Sequence, residues 1–383
     1  MRILLVSSSS GSRGGGEIFL LYLGEALRAA GHTVALWASR HPRMDELARR
    51  FAGIGEVVRV DYRNTYDHWH RGVLASTGEK NSQRIADSWL GWRPDVVHLN
   101  KQNLEDGLDL LAATNTLALP HLCTVHITQS ARFLGARFAG WRDAAARRAL
   151  RAYRGLLVVT APARAPELQA FLTDVRAREI PIVTNGVPLQ NASTSDRSAL
   201  RARENLRAGS FAIVALGRLE PQKQPLRFLD YAARIRLACP EAEFRWIGSG
   251  RMTEEWEDAV ARKKLGGIVQ RIDWHDDARA SLPAYDLFLH PAAYEGFSFA
   301  ILEAMDAGLP CAMEAPVHAQ LPAALRDVSL VVNDATDWAA LIRDRARLAE
   351  LARRAQSIVR EHYSTAAMAA AYAQLYAKLC RAS

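Results

Sequence analysis

The stretch from Tyr285 to Pro310 reads YDLFLHPAAYEGFSFAILEAMDAGLP. Its first part, Tyr285 to His290, is an apolar run that predicts a strand, and its last part predicts a helix through Ala307. Because a glycine turn joins them, backbone N–H groups at the helix start would point at a bound anion. Glu295 and Glu303 lie on either side of this turn, where each carboxylate can accept hydrogen bonds from sugar hydroxyls. The combination suits a nucleotide sugar, in which phosphate is flanked by two polyols.

Strands and helices alternate on both sides of this stretch. Ile3 to Val6 reads as a strand, Glu17 to Ala30 as a helix and Thr33 to Trp37 as the next strand, which together predict a βαβ unit in a parallel sheet. Further strands are predicted at Asp95–Leu99, His121–Val125, Leu156–Thr160, Pro181–Val183, Ile213–Leu216, Glu243–Ile247, Val269–Ile272 and Leu287–Leu289.

The spacing of these strands predicts two doubly wound domains. A chain of 383 residues is long enough for two domains, and the polar stretch Gln190 to Arg197 separates the two sets of strands as a linker. We predict an N-terminal domain over residues 1–187 and a C-terminal domain over residues 188–363. The alanine-rich segment Ser364 to Leu379 predicts an amphipathic helix that packs back on the first domain, so that residues 364–383 belong with it.

Composition and cysteine usage favour a cytoplasmic globular protein. Apolar residues make up 49% of the chain, and no apolar run reaches the ~18 residues of a membrane span. Met1 to Val6 is a shorter apolar run than a signal peptide has. The cysteines are scattered without metal-type spacing and predict reduced thiols: Cys123, Cys239, Cys311 and Cys380. The pair Asp276-Asp277 reads as a turn or helix cap, so no metal site is expected.

Two loops after predicted strands carry residues suited to phosphate. Gly14-Gly15-Gly16-Glu17 opens the first helix, where glycines allow close approach and the helix dipole favours an anion, although a flexible loop with a helix cap fits equally well. It lacks the GxGxxG spacing of dinucleotide-binding proteins. In Gly217 to Lys223, Arg218 and Lys223 could neutralise a diphosphate leaving group. A solvated basic loop is the alternative, and the glutamate pair in the same half favours the phosphate interpretation.

His126 follows the strand Cys123-Thr124-Val125, again at a carboxyl end. A neutral imidazole there could hydrogen-bond a sugar hydroxyl or polarise the reacting centre. A structural histidine that caps the strand is the alternative, and His98 is interpreted as structural.

Positive charge concentrates in residues 131–154, which hold seven arginines and one aspartate in a chain of net charge +8. Leu134, Phe138, Trp141 and Ala145 have helical spacing, so the segment resembles an interfacial helix on an anionic membrane. The alternative is a surface helix that buries its aromatic side chains. Nucleic acid is not an expected partner, because no nucleic-acid motif accompanies the charge. The candidate membrane or acceptor contacts are Arg132, Phe133, Arg137, Phe138, Trp141 and Arg142.

Four of these motifs, in this order, resemble those of the retaining glycosyltransferases of family 4. Glu295 to Glu303 is similar to the family's E-x7-E motif, and Gly217-Arg218-Leu219 with Lys223 is similar to its phosphate-binding loop. Asn185-Gly186-Val187 resembles the turn that closes its first domain, and Gly14 to Glu17 resembles its N-terminal glycine loop. The resemblance implies the GT-B fold, with two Rossmann-like domains facing a central cleft and a C-terminal helix crossing back to the first domain.

The resemblance also implies a role for each site residue. Arg218 and Lys223 would hold the donor diphosphate, with Gly296 in the turn and the N–H groups of Phe297, Ser298 and Phe299 at the distal phosphate. Glu303 would bind the ribose, while Glu295 and His126 would contact the donor sugar. Gly15 and Gly16 would approach the leaving phosphate. The family retains anomeric configuration and needs neither metal nor cofactor.

The implied activity is transfer of a hexosyl-type sugar to a hydroxyl of a carbohydrate or lipid-linked acceptor, which would bind the N-terminal domain. UDP-sugars are favoured over GDP-sugars by family frequency, and envelope or exopolysaccharide assembly at the inner face of the cytoplasmic membrane is the expected setting. The segment Glu314 to Gln320 departs from the family, since it lacks a glycine pair that many members carry there. A nucleotide-sugar epimerase of the same architecture and a non-catalytic sugar-nucleotide-binding protein remain alternatives.

Overall fold

The structure is a computed structural model and describes residues 1–9, 14–64, 79–173, 179–190, 197–274 and 278–382. The chain divides into two compact units. The first is formed by residues 1–186 together with 365–383, and the second by residues 187–364. Each unit is built on one six-stranded parallel sheet, as the alternating strands and helices predict.

The first unit has the strand order of a doubly wound sheet. Its strands are β1 (Arg2–Ser7), β2 (Thr33–Ser39), β3 (Glu56–Val60), β4 (Val96–Lys101), β5 (His121–Val125) and β6 (Leu156–Val159). They lie in the order β3-β2-β1-β4-β5-β6, so the direction of winding reverses between β1 and β4. Ligands of open α/β sheets bind at such a switch point, outside the carboxyl ends of the strands.

Apolar strands are buried on both faces because helices cover the sheet. Leu4 of β1, Val97 of β4 and Cys123 of β5 are completely buried in one hydrophobic core. The helices of this part of the chain are α1 (Gly15–Ala29), α2 (Asp45–Ala52), α3 (Glu79–Leu90), α4 (Leu108–Thr114), α5 (Ala139–Ala152) and α6 (Arg164–Leu172).

The second unit repeats this architecture. Its strands are β7 (Phe211–Leu216), β8 (Ala242–Ile247), β9 (Val269–Ile272), β10 (Leu287–His290), β11 (Cys311–Glu314) and β12 (Leu330–Val332). They lie in the order β12-β11-β10-β7-β8-β9, which puts the switch point between β7 and β10. Its helices are α7 (Arg197–Arg203), α8 (Pro225–Ala238), α9 (Thr253–Arg262), α10 (Ala278–Ser281), α11 (Phe299–Asp306), α12 (Ala315–His318), α13 (Ala323–Arg326), α14 (Trp338–Arg343) and α15 (Arg345–His362).

The helix α16 (Thr365–Ala382) completes the first unit, which confirms the predicted packing of the last segment. Tyr372 and Tyr376 of this helix are fully buried, and Tyr372 meets the ring of Phe19 in α1 edge-on. The hydroxyl of Tyr376 lies 2.7 Å from His98 Nδ1, and Thr124 bonds His98 Nε2 at 2.8 Å. Because burial lowers the pKa of His98 to about 3, this histidine is a neutral structural link between the sheet and α16.

Most predicted strands are confirmed within two residues of their predicted ends. The strand predicted at Pro181–Val183 is wrong: the segment contributes a single bridge between Val159 and Ile182. Proline lacks a backbone N–H and cannot donate to a ladder, which limits pairing there. The sequence analysis did not predict β3, β11 and β12.

Within the described part of the chain, no helix is both long and apolar enough to cross a membrane. No group of three His, Cys, Asp or Glu side chains is placed there to hold a metal ion. Cys123, Cys239 and Cys311 are buried free thiols, and Cys380 is a partly buried one. The pair Asp276-Asp277 and residues 191–196 of the predicted linker lie outside the described residues.

Candidate active site

Three of the residues predicted to bind the donor lie in the two loops at the switch point of the second sheet. Arg218 follows the carboxyl end of β7 and is exposed. Lys223 ends the short 3-10 turn Pro221–Lys223 in the same connection, and Glu295 follows the carboxyl end of β10. The strand order makes β7 and β10 neighbours, so the topology alone brings two cations and a carboxylate to one edge.

Two hydrogen bonds join the loops after β7 and β10. The backbone N–H of Ala293 donates to the carbonyl of Gln222 at 2.9 Å, and the Gln222 side-chain amide donates to the carbonyl of Tyr294 at 3.1 Å. Lys223 directly follows Gln222 in the first loop, and Glu295 directly follows Tyr294 in the second. The Lys223 ammonium forms an ion pair with Glu295 Oε1. The ion pair is therefore fixed by the backbone on both sides.

Glu295 is a buried carboxylate held ionised by its neighbours. Burial by itself would raise its pKa, but the Lys223 ammonium and a 2.9 Å hydrogen bond from His290 Nε2 together lower the pKa to about 2. His290 ends β10, and burial lowers its own pKa. A neutral His290 that donates from Nε2 is therefore the form that fits this site.

Glycines let the loop after β7 pack directly on the loop after β8. Gly248 has a φ of 137°, and a Cβ atom there would lie 2.2 Å from the carbonyl oxygen of Gly217. Gly217 itself has a φ of 156°, and its carbonyl accepts a 2.8 Å hydrogen bond from the indole N–H of Trp246. This backbone-to-backbone contact fixes the turn from which Arg218 extends.

The helix α11 begins beside Glu295. Ser298 has an extended backbone, and the helix starts at Phe299, so its first amide groups lie at the carboxyl edge of the sheet. Every residue from 295 to 300, Gly296 and Phe297 included, is buried, and Glu303 on the helix is also buried. Glu303 therefore lies on the helix that the sequence predicts after the glycine turn.

In the first unit, the predicted residues Gly16 and His126 meet around a residue that was not predicted. Asn100, the second-last residue of β4, donates its side-chain amide to the carbonyl of Gly16 at 3.0 Å. Its side-chain oxygen lies 2.6 Å from His126 Nε2. A side chain at Gly16 would clash with Gln102, since a Cβ atom there would lie 1.9 Å from the side-chain nitrogen of Gln102. Gly15 opens α1, directly after Gly14.

His126 is neutral at physiological pH, because burial lowers its pKa to about 4 against a weaker opposing effect of the Asp106 carboxylate. The Asn100 amide nitrogen is used by Gly16, so the Asn100 oxygen accepts from His126 Nε2–H. Nδ1 is then the basic nitrogen of the ring, suited to accept a hydrogen bond from a hydroxyl. The edge of Phe19 packs on the imidazole at a centroid distance of 4.8 Å.

The helix predicted through Leu134 and Phe138 is wrong. Gly135 and Phe138 have positive φ angles of 64° and 56°, and α5 begins only at Ala139. The alternative, a surface helix that buries its aromatic side chains, is also wrong. Phe133, Phe138 and Trp141 expose 64%, 76% and 51% of their surface, and Leu134 is exposed too.

The arginines of this segment differ in what they contact. Arg142 forms a bidentate ion pair with Glu105 at 2.6 and 2.7 Å. Arg147 donates to the carbonyl of Phe171, and Arg151 donates to backbone carbonyls at the end of α6. Arg132 and Arg137 are exposed in the turns beside the aromatic side chains. We call Arg132, Phe133, Leu134, Arg137, Phe138 and Trp141 the exposed aromatic patch.

Three contributors to the two sites were not predicted. His290 was interpreted as the last residue of an apolar strand, and Asn100 and Gln102 follow the predicted strand Asp95–Leu99 and were given no role. A usable signal is nevertheless present, since each of these polar side chains stands at the carboxyl end of a strand beside a switch point.

Comparison with protein families matches the two halves of the chain separately. Residues 13–191 match the model described as Glycosyltransferase Family 4, and residues 210–376 match the model described as Glycosyl transferases group 1. The fold is similar to that of Anabaena HepE in its crystal structure with UDP and glucose, with a TM-score of 0.78, 19% identity and coverage of 99% of this chain and 100% of that one. Sucrose-phosphate synthase from Thermosynechococcus elongatus gives a TM-score of 0.78 at 20% identity, covering both chains fully.

Curated relatives have a higher sequence identity over a smaller share of the chain. A phosphatidyl-myo-inositol mannosyltransferase of Mycolicibacterium smegmatis is 28% identical over 77% of this chain and 71% of its own. An Escherichia coli enzyme named UDP-Gal:alpha-D-GlcNAc-diphosphoundecaprenol alpha-1,3-galactosyltransferase is 32% identical over 35% of this chain, and the match spans only 36% of that relative. Taken with the two family matches and the shared architecture, these likenesses establish that the chain belongs to the family 4 glycosyltransferases and has their two-domain GT-B fold.

Proposed function

We propose that this glycosyltransferase moves a sugar from a nucleotide diphosphate sugar, with retention of configuration, to a hydroxyl of a carbohydrate or lipid-linked acceptor. The observation that carries the proposal is the cluster of Arg218, Lys223 and Glu295 at the switch point of the second sheet. Two cations suit a diphosphate, and an ionised carboxylate beside them suits the hydroxyls of the attached sugar. The second unit would bind the donor, and the first unit the acceptor.

In the proposed mechanism the diphosphate leaves while Arg218, Lys223 and the start of α11 neutralise its growing charge. An oxocarbenium-like centre forms, and the acceptor hydroxyl attacks from the face that the leaving group vacates. The departing phosphate oxygen takes the acceptor proton, so the reaction needs no protein nucleophile. Glu303 would hold the ribose hydroxyls.

His126 would lie beside the donor sugar and accept a hydrogen bond from a sugar hydroxyl at Nδ1, while Gly15 and Gly16 would approach the leaving phosphate. The proposed chemistry needs no metal, since the charge on the diphosphate is met by Arg218 and Lys223.

The donor is proposed to be a UDP-sugar. The name of the Escherichia coli relative includes UDP-Gal, which supports UDP over GDP. A panel of UDP-, GDP- and ADP-sugars tests this by thermal shift and by slow hydrolysis without acceptor. We expect stabilisation and hydrolysis with a UDP-sugar. Binding without hydrolysis would point to a non-catalytic binding protein, and release of an altered nucleotide sugar would point to an epimerase.

The acceptor is proposed to be lipid-linked and reached at an anionic membrane surface, in envelope or exopolysaccharide assembly at the inner face of the cytoplasmic membrane. The named relatives act on an undecaprenol-linked sugar and on phosphatidylinositol, and the exposed aromatic patch combines apolar rings with Arg132 and Arg137. Such a mixture suits an interfacial site, where rings enter the headgroup region and cations meet anionic lipids.

Vesicle sedimentation tests this surface. We expect binding to phosphatidylglycerol-containing vesicles, weaker binding to phosphatidylcholine alone, and loss of binding in Phe138→Ser and Trp141→Ser. Trp274→Ser is the matched control, since Trp274 is a tryptophan of the second unit that is 41% exposed. Equal binding to both kinds of vesicle, or equal loss in the control, would contradict the proposal.

A further inference from the structure

Glu295 has two hydrogen-bond donors that differ in their freedom to leave. Lys223 is a flexible cation at the edge of the site, with 17% of its side chain exposed. His290 is 3% exposed at its side chain and fixed in the last position of β10. Its ring stacks on that of Phe288, with the two centroids 5.8 Å apart and the ring planes 19° apart.

Lys223 and Glu295 form an ion pair, so the residue proposed to bind phosphate and the residue proposed to bind the sugar neutralise each other. A diphosphate carries more negative charge than one carboxylate and would draw the Lys223 ammonium toward itself. Glu295 would then lose its cation while still buried, and a buried carboxylate without a partner is unfavourable.

We infer that His290 is a positioning residue, which holds the Glu295 carboxylate toward the donor sugar through Nε2–H when Lys223 turns to the diphosphate. The inference rests on the proposed function and adds a residue to it. His290 suits this task because its ring is locked by burial and stacking, and because its Nε2–H bond to Glu295 is already formed at 2.9 Å. The residue touches neither substrate in this account and acts through Glu295.

The test compares two substitutions that keep different properties of the ring. His290→Gln keeps an N–H donor at a position close to that of Nε2 but loses the ring. His290→Phe keeps a ring that can stack on Phe288 but loses the donor. If His290 only fills space in the core, Phe is the better replacement. If it positions Glu295, Gln is the better one.

The two measurements are the kcat for turnover of a UDP-sugar and the affinity for UDP alone. We expect His290→Phe to lower kcat by about 10- to 100-fold, the loss that one hydrogen bond to a charged group produces, while His290→Gln stays within about fivefold of the wild type. UDP binding should change less than threefold in both variants, because UDP lacks the transferred sugar that Glu295 would hold, and its ribose is assigned to Glu303. Higher activity in the Phe variant than in the Gln variant would overturn the inference. If the Phe variant does not fold, His290→Met replaces it as the apolar substitution.

A second experiment separates this inference from the proposed function, because it needs no donor. His290→Phe, Glu295→Gln and the double variant are unfolded in denaturant as a double-mutant cycle. Non-additive shifts in the unfolding midpoint support the contact, and additive shifts overturn it. A wild-type protein that turns over no nucleotide sugar would overturn the proposed function, while the cycle still decides whether His290 holds Glu295.

Discussion

Each of the two sheets places a buried neutral histidine at the carboxyl end of a strand near its switch point. One histidine bonds a charged side chain, and the other bonds an uncharged one. In the second unit, His290 donates to Glu295, which also pairs with Lys223. In the first unit, His126 bonds the uncharged side chain of Asn100. The two histidines therefore differ in the charge of the group they bond, although the first sheet edge also holds a buried ion pair between Lys101 and Asp106. The difference supports a diphosphate on the second unit and hydroxyl groups on the first.

The largest expected effect comes from removing the cation on the charged side. Lys223→Met leaves Glu295 buried beside His290 alone, and breaking a buried ion pair from one side costs about 4 kcal/mol. We expect the second unit to unfold at lower denaturant concentration, as followed by tryptophan fluorescence. Lys263→Met is the control, because Lys263 pairs with Asp230 through side chains that are 37% and 44% exposed. Equal loss in both variants would remove the contrast between the two sheets.

Arg218→Ala should lower turnover of the donor by about a hundredfold or more, because one preorganised charge contact supplies roughly 3 kcal/mol of transition-state stabilisation. Stability should change little, since Arg218 is exposed. Steady-state kinetics with the donor found in the panel measures the effect. Arg353→Ala is the control on a surface helix, where the arginine side chain is 73% exposed. Wild-type turnover in Arg218→Ala would contradict the phosphate assignment.

Asp109 in α4 of the first unit is the counterpart of Glu295 with the opposite pKa change. Burial raises the pKa of Asp109 to about 6, although a hydrogen bond from Tyr62 partly opposes this. The folded protein then binds this proton more tightly than the unfolded chain, so stability falls as pH rises from about 4 to 6 and stays low above that. Glu295 behaves in the reverse way, since its pKa of about 2 gives stability that is lost below about pH 4.5.

Asp109→Asn should therefore stabilise the protein at pH 7 by up to about 3 kcal/mol, while the amide oxygen can still accept from Tyr62. Denaturant midpoints at pH 4.5 and pH 7 measure this gain, which should be larger at pH 7. Glu295→Gln should show no such gain. A gain from Asp109→Asn that is equal at the two pH values would contradict the raised pKa.

The smallest expected effect comes from giving His126 a charged partner, as His290 has. Asn100→Asp places a carboxylate 2.6 Å from the His126 ring nitrogen, so the pKa of His126 should rise from about 4 toward or above its ordinary value. NMR titration of the imidazole measures the change. Asn115→Asp is the control, a partly exposed site in the same unit. An unchanged His126 titration would show that Asn100 does not determine its protonation.

The placement of Arg218, Lys223 and Glu295 at one edge of the sheet was predictable. Strand ends in a doubly wound sheet meet at one edge, and each residue follows an apolar run. The strands β3 and β12 were missed because both lie at sheet edges, where the alternation of buried residues is weak or the run is only three residues long. The helix predicted through Phe138 is wrong because the spacing of apolar residues carries no information on backbone angles, and Phe138 has a positive φ. His290 was hidden by its position at the end of an apolar strand, where its contact with Glu295 depends on the turn that follows.

The tyrosines of α16 carry a consequence for synthesis of the chain. Tyr372 and Tyr376 cover Phe19 and His98, yet the ribosome makes them only after all residues of the second unit. A nascent chain of the first 186 residues therefore exposes an apolar face, and His98 lacks its hydrogen-bond partner Tyr376 until the last helix emerges. The second unit is continuous in sequence and can finish folding earlier, so the part made first is completed last.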